Sequence, residues 1–387
     1  CPFQDPMACR RLAYAGVAAS LPLVTHESPR DVVAYRTGEP VTVADFLEDA
    51  ARVAARLADG RHVLNTCQDR YRFAVGLAAT LMRRQVSLMP PNLTPKSLNA
   101  LWAMALDHAS LDDDEVAAAA NGAPYNAAVP PCPVLDADVQ AALVFTSGST
   151  GDPVPYAKTW GSIVRNVQVE ARRLGMSDGR RHTIVGTVPP QHMYGFESTV
   201  LVALQSGGAF DAGRPFYPAD ICRALDAVPR PRLLVTTPFH LRSLLSSGLA
   251  VPPVDRVVCA TAPLSGELAR EAEARLQAPV VEIYGCTETG QLATRRPAET
   301  AEWRLFDGVR LSTHAGKTWA SGGHVGDAVA IQDVLEITGE DRFLLHGRAA
   351  DMINIAGKRS SLAYLNQQLT AVPGVVDGVF FMLDEGV

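Results

Sequence analysis

The sequence predicts an α/β protein: a large N-terminal domain of parallel sheets flanked by helices, with a small β subdomain, followed by a truncated α+β C-terminal domain. Two observations carry this expectation. Between residues 141 and 284 short apolar runs alternate with amphipathic stretches, the signature of parallel strands with helices on their faces. After Arg295 the helical rhythm gives way to short apolar runs separated by turns, which reads as antiparallel strand.

Taken in chain order, Val43, Phe46, Leu47, Ala50, Val53, Ala54 and Leu57 recur at helical spacing, and 62–65 reads as a strand. Residues 107–139 contain Asp112-Asp113-Asp114, an alanine run and Pro130-Pro131-Cys132-Pro133, and are expected to be an irregular surface connection between two lobes of one domain. Strands follow at 141–145, 183–188, 232–236, 256–261 and 280–284. Helices are expected near 161–174, 196–205, 239–246 and 266–277. Runs at 325–331, 334–337 and 343–345 are assigned to the small β subdomain, and 352–359 to a strand and turn. The expected division is a core domain over 1–347 and the start of an incomplete C-terminal domain over 348–387.

Composition excludes several classes. Of 387 residues, 47% are hydrophobic and 20% charged, ordinary globular usage that leaves no case for disorder or a fibrous repeat. Acidic residues outnumber basic ones by 41 to 35, so nucleic acid is not the expected main partner. The seven cysteines are odd in number and form no CxxC pair, which fits neither a zinc site nor a disulfide framework and points to a reducing cytoplasm. Arg10-Arg11 and the small residues up to Val24 imitate a signal peptide only faintly, since Ser20 and Pro22 interrupt them. No segment approaches the ~18 apolar residues of a membrane span.

Two segments carry candidate chemistry. Thr146-Ser147-Gly148-Ser149-Thr150-Gly151 directly follows the 141–145 run, and its glycines and hydroxyls can bring backbone N–H and O–H groups onto phosphate oxygens. A plain Ser/Gly surface turn has the same composition. No Gly-Lys pair follows, so it is not a GxxxxGK[ST] loop. Ser147 stands where a GxSxG elbow around Ser149 needs glycine, which disfavours a serine hydrolase. The second segment, Tyr284-Gly285-Cys286-Thr287-Glu288, leaves another apolar strand. Glu288 is a candidate Mg²⁺ ligand, Thr287 a phosphate contact and Tyr284 a flat face for a base. Standing alone, they would read as a solvated carboxylate and a rim aromatic.

Together these segments resemble the acyl- and aryl-adenylating ligase superfamily over roughly residues 40–387. Pro190-Gln191-His192-Met193-Tyr194-Gly195, Ala262-Pro263-Leu264, Gly326-Asp327 and Gly347-Arg348 through Gly357-Lys358-Arg359 support it in the same order. The resemblance implies ATP and Mg²⁺ as cofactors and activation of a small carboxylic acid as its adenylate. A pantetheine thiol, of coenzyme A or of an acyl carrier protein, would then take the acyl group. Thr146 to Gly151 would hold the β- and γ-phosphates and Glu288 the metal. Tyr284, Gly285 and the backbone of Thr261, Ala262 and Pro263 would frame adenine. Asp327 would accept from the ribose hydroxyls, and Arg348 would reach ribose or phosphate. His192 and Tyr194, with Gly195, Phe196 and Phe239, would border the acid.

Departures from the family pattern qualify these roles. Val154 follows Pro153 where the family usually has Lys or Arg, so Lys158 is expected to supply that charge. Thr261 replaces a usual glycine, which suggests a shifted backbone or an added hydroxyl contact. Ala350 occupies a hinge position usually held by Asp or Lys. The family's C-terminal lysine motif lies beyond Val387, so the C-terminal unit is expected to be incomplete. The spelling of 151–160 and 193–197 resembles ligases of aryl-polyene or xanthomonadin-type pigment pathways. The alternative is a nucleotide-binding regulatory protein without complete ligase activity.

Overall fold

The computed structural model describes residues 20–90, 92–104, 107–120, 130–147, 153–348, 352–355 and 358–362, and 365, 366, 369, 375 and 378–381 beyond them. Two sheets frame the molecule. Among the described residues the larger has eleven strands. Six of them run parallel in the order Val280–Cys286, Arg256–Cys259, Arg232–Thr236, Thr183–Gly186, Ala209–Asp211, Val32–Arg36. Arg232–Thr236 and Thr183–Gly186 are buried along their whole length, as continuous apolar strands covered on both faces must be. The smaller sheet has His108–Leu111, His62–Asn65, Val86–Met89 and Gln140–Ser147 in parallel, closed by Pro153–Thr159 running back antiparallel.

Helices fill the space between the sheets. In Trp160–Arg173, Trp160, Ile163, Val164 and Val167 are buried, and Thr159 caps the start by accepting from Ser162 N–H. One apolar core takes residues from both sheets and from the helices Val43–Arg56 and Arg70–Met82. A tie of a different kind is Arg70, which is fully buried. It donates to Thr199 Oγ1 at 2.9 Å, to the carbonyls of Asp211 at 3.0 Å, Gly186 at 3.0 Å and Val188 at 2.8 Å, and to that of Gly213.

Three expectations change. The 107–139 stretch is not uniformly irregular: it holds the strand His108–Leu111 and the helix Asp113–Ala120. The acidic run begins that helix, with Glu115 N–H donating to Asp112 Oδ1 at 2.8 Å and Asp112 N–H to Glu115 Oε2 at 3.0 Å, a reciprocal cap rather than a loop. The β subdomain is made of other strands than expected. Val309–His314, Lys317–Gly322 and Gly326–Ile331 form a separate antiparallel sheet. The hairpin Asp333–Ile337 with Arg342–Arg348 extends the large sheet through Trp303–Leu305, because Phe343 stacks on Trp303 and packs edge-on against Tyr284. Arg348 is accordingly the last residue of that strand. Third, the 196–205 helix is a short turn at Met193–Gly195, a π-helical segment at Phe196–Leu201 and a helix at Val202–Ser206. Beyond the core, Met352–Ile355 pairs antiparallel with Lys358–Ser361.

Candidate active site

The C-terminal ends of both parallel sheets carry the candidate residues, where ligands of such sheets bind. At the end of the smaller sheet, Thr146 and Ser147 finish a strand opposite Val154 and Pro153. The glycine–hydroxyl segment therefore joins two antiparallel strands. Gly148, Ser149, Thr150 and Gly151 lie outside the described residues. At the end of the larger sheet, Val280–Cys286 turns back through Thr287, Glu288 and Thr289 into Gly290–Arg295. A register shift at Tyr284/Gly285 accompanies the turn. Gly285 is required there, since a Cβ would run into the carbonyl of Gly290.

Three side chains gather on one side of this turn. Tyr284 is buried, its ring centroid 5.6 Å from those of Trp303 and Phe343, and its hydroxyl donates to Asp333 Oδ2 at 2.7 Å. Asp333 pairs in register with Arg348 across the hairpin. The carboxylate beside Tyr284 and Arg348 is thus Asp333, whereas Asp327 is exposed on the separate three-stranded sheet. Asp327 therefore stands apart from the Tyr284–Asp333 pair. The usable signal was the spacing from Asp333 to Arg348 about a turn at Gly339, which a hairpin brings face to face. Burial and the neighbouring Asp333 carboxylate push the Tyr284 phenol far up, so it remains a hydrogen-bond donor.

The loop at 261–264 is held by the strand behind it. Glu282, buried in the same strand, accepts from Leu264 N–H at 2.9 Å and from Arg295 Nε at 2.6 Å. Arg295 in turn stacks over Trp303 at 4.6 Å. Thr261, Ala262 and Pro263 are exposed just before Leu264. Thr261 keeps a glycine-type conformation, φ +79°, so the expected shift of its backbone is replaced by strain in a β-branched residue.

On the other side of the turn, Glu288 is half-buried and Lys158 buried. Lys158 Nζ donates to the carbonyl of Glu288 at 3.1 Å, which joins the last strand of the smaller sheet to the turn of the larger one. Burial holds the Lys158 ammonium below its ordinary range, against the charges of Glu197, Cys286 and Glu288. A cavity of about 220 Å³ opens here, lined by Lys158, Asn166, Glu197, Glu288, Gly290 and His324 among others. His324 is buried with Nε2 2.7 Å from the carbonyl oxygen of Gln291, and burial pushes its imidazole down to about 4. Glu197 is buried too, and burial pushes its carboxyl up to about 7. Asn166, Glu197 and His324 carry no site role in the sequence reading: Glu197 enters only within the 193–197 spelling, His324 lies two residues before Gly326-Asp327, and Asn166 stands inside a helical stretch.

The residues expected around the acid separate. His192 is exposed, and its Nδ1 accepts from Tyr194 N–H at 3.2 Å, leaving Nε2 free to carry the proton outward. Tyr194 is buried, its hydroxyl 3.1 Å from the Thr236 carbonyl and 2.9 Å from that of Val258, which anchors the segment to two strand ends. Phe196 does not wall an open pocket: it is fully buried, edge-on to Phe73 at 6.2 Å. Gly195 presses on the Pro189 carbonyl, where a Cβ has no room. Phe239 faces solvent, 69% exposed, beside His240.

Mg²⁺ is held in nucleotide sites by one or two carboxylates plus substrate phosphates. A single half-buried carboxylate, Glu288, with a lysine beside it fits that requirement. Among the described residues no group of three or more His, Cys, Asp or Glu side chains could form a metal cage, and Cys67, Cys132, Cys222, Cys259 and Cys286 are unpaired. No described helix is long and apolar enough to cross a membrane.

Comparison with known proteins identifies the family. The chain is 31% identical over 237 residues to a 4-coumarate–CoA ligase of Rhodobacter capsulatus, covering 60% of this chain and 58% of the relative. It is 26% identical over 250 residues to a 4-chlorobenzoate–CoA ligase of an Arthrobacter species, covering 64% and 44%. The chain thus spans about half the length of the curated relatives it matches. Its fold matches that of the Bacillus subtilis o-succinylbenzoate coenzyme A synthetase (MenE) in complex with ATP and magnesium ion, with TM-score 0.76, 16% identity, and coverage of 92% of this chain and 86% of that one. The family description "AMP-binding enzyme" matches residues 24–311, nearly three quarters of the chain, and the protein belongs to the AMP-binding enzyme family.

Proposed function

We propose that this protein activates a small carboxylic acid with ATP as the acyl-adenylate and passes the acyl group to a pantetheine thiol, giving a thioester, AMP and pyrophosphate. The observation that carries this reading is the single turn between Tyr284 and Gly290. It has Tyr284, Asp333 and Arg348 on one side, suited to a nucleoside, and Glu288 with Lys158 on the other, suited to phosphates. The relatives named for aryl acids favour an aryl acid as substrate. Whether coenzyme A or an acyl carrier protein supplies the thiol is a matter for mass detection of the product.

A carboxylate is a poor acyl donor because its leaving group would be oxide. In the proposed first step a carboxylate oxygen bonds to the α-phosphorus of ATP while the bond to the bridging oxygen breaks and pyrophosphate leaves. In the second a thiolate displaces AMP from the acyl carbon. No side chain needs to act as nucleophile. Glu288 would hold Mg²⁺, which when bound neutralises charge on the phosphates. Lys158 places a cation beside it, where charge develops on phosphoryl oxygens. Asp333 would accept from the ribose hydroxyls, taking the role first assigned to Asp327, and Arg348 would bracket the same sugar or its phosphate. Thr146, Ser147 and the loop after them, with Thr287, would hold the β- and γ-phosphates. His192 would donate from Nε2–H to an anionic oxygen of the substrates, its Nδ1 being occupied by the Tyr194 N–H. Residues 1–347 or 348 would form the core domain of this enzyme.

Carboxylate-dependent ATP–pyrophosphate exchange tests the proposal across a panel of aryl and acyl acids. Exchange is expected with at least one acid, and none with any would sink the ligase reading in favour of a nucleotide-binding regulatory protein. Asp333→Asn is expected to weaken ATP at least about tenfold, the loss of a charge-assisted bidentate acceptor, while Asp327→Asn stays near wild type. The reverse order would return the ribose role to Asp327.

A further inference from the structure

The buried polar groups behind Lys158 have no part in the reaction as proposed, and their geometry points to one. Lys158, Asn166 and Glu197 are 7%, 1% and 2% exposed. Lys158 Nζ holds the carbonyl of Glu288 at 3.1 Å. Asn166 Nδ2 donates to Glu197 Oε1 at 2.6 Å. Both pairs meet the same turn, because Gly290, at φ +77°, leaves open a position whose Cβ would lie 3.1 Å from Asn166 Nδ2 and 3.5 Å from Glu197 Oε1. All of these residues line the 220 Å³ cavity. An ammonium so buried is costly unless an opposite charge faces it. Glu197, held by Asn166, is the buried carboxyl that shares this cavity with Lys158.

We infer that Glu197, held by Asn166, is a positioning residue: acting through Lys158, it fixes the Glu288–Gly290 turn so that the Glu288 carboxylate and the Lys158 ammonium meet the nucleotide's phosphates together. Glu197 itself touches no substrate. The inference rests on the adenylation reading, in which Glu288 and Lys158 face the triphosphate. A buried polar cluster that merely stabilises the core would look the same in a single variant, so the test is a cycle.

The full chain is titrated calorimetrically with Mg·ATP, without acid, as wild type, Glu197→Gln, Lys158→Met and the double variant, with thermal midpoints recorded alongside. Glu197→Gln and Lys158→Met are each expected to weaken Mg·ATP roughly tenfold, and the double variant by no more than about twofold beyond Lys158→Met, since residues acting through one another are non-additive. Asn166→Ala, which loosens Glu197 without removing its charge, is expected to weaken binding less and to have no effect in the Lys158→Met background. If Glu197→Gln lowers the thermal midpoint but leaves Mg·ATP affinity intact, or if the losses multiply in the double variant, the inference is overturned. The two readings fail separately: a wild type that binds Mg·ATP but exchanges no acid ends the ligase proposal and leaves the cycle readable, and an exchanging enzyme indifferent to Glu197→Gln ends only this inference.

Discussion

Thr261 illustrates how a single residue can carry strain at a candidate site. Its φ of +79° is a conformation glycine adopts freely and a β-branched residue resists, at roughly 1–3 kcal/mol. The loop persists in that shape because Glu282 and Arg295 hold Leu264 three residues on. Thr261→Gly is therefore expected to stabilise the protein by roughly 1 kcal/mol after glycine's own entropic cost, read as a higher denaturation midpoint. A lower midpoint would mean that the Thr261 side chain makes a compensating contact. Asp333 teaches the complementary lesson at this scale. Nothing in its own neighbourhood in sequence marks it, and its role depends on Tyr284, 49 positions earlier.

At the scale of elements, the helix Trp160–Arg173 is amphipathic in outline yet buries Asn166 and Glu170 on its core face. Glu170 is fully buried beside Ser198 and Gln291, and burial pushes its carboxyl up to about 8 from an ordinary 4.5. In that window the folded chain holds a proton the unfolded chain has released, so this group's contribution to stability falls as pH rises from about 4.5 to about 8. Glu170→Gln removes that dependence. The variant's thermal midpoint is expected to gain on the wild type's between pH 5 and pH 8, and parallel curves would show that Glu170 is ionised in the folded protein. The π-helical turn at Phe196–Leu201 also belongs to this scale. Such turns break regular side-chain spacing, commonly at functional sites, and this one sets Glu197 toward the cavity while Phe196 goes to the core. Helical periodicity anticipates a helix here but not this redistribution of faces, and the pocket role of Phe196 rests on the family resemblance alone.

For the molecule as a whole, the two sheets must keep a fixed relation if a site drawn from both is to hold its geometry. Arg70 begins the helix Arg70–Met82 of the smaller-sheet lobe and donates to the Gly186, Val188, Asp211 and Gly213 carbonyls at and just past the ends of two strands of the larger sheet. Burial lowers its guanidinium only to about 10, so it stays charged at neutral pH. Replacing it with Met leaves several buried carbonyls unpaired at roughly 1–3 kcal/mol each, and Lys cannot restore a planar fork of donors. Arg70→Met and Arg70→Lys are both expected to lower the denaturation midpoint severely. A variant within a degree or two of wild type would show that the lobes are joined by the apolar core alone.

The sequence by itself determined the strand–helix alternation, the starts of several core strands, and the two segments at which chemistry was sought, because these depend on local periodicity and on glycine and hydroxyl composition. It also placed Tyr284, Glu288 and Lys158 among the candidates. Only the tertiary structure decided that Asp333 rather than Asp327 stands beside Tyr284, that Phe196 lies in the core, and that Lys158 holds the Glu288 carbonyl. It alone showed that Asn166, Glu197 and His324 share a cavity. These are contacts between residues far apart in the chain, set by hairpin register, by a π-helical turn and by the burial of charge, none of which leaves a periodic trace in the order of amino acids.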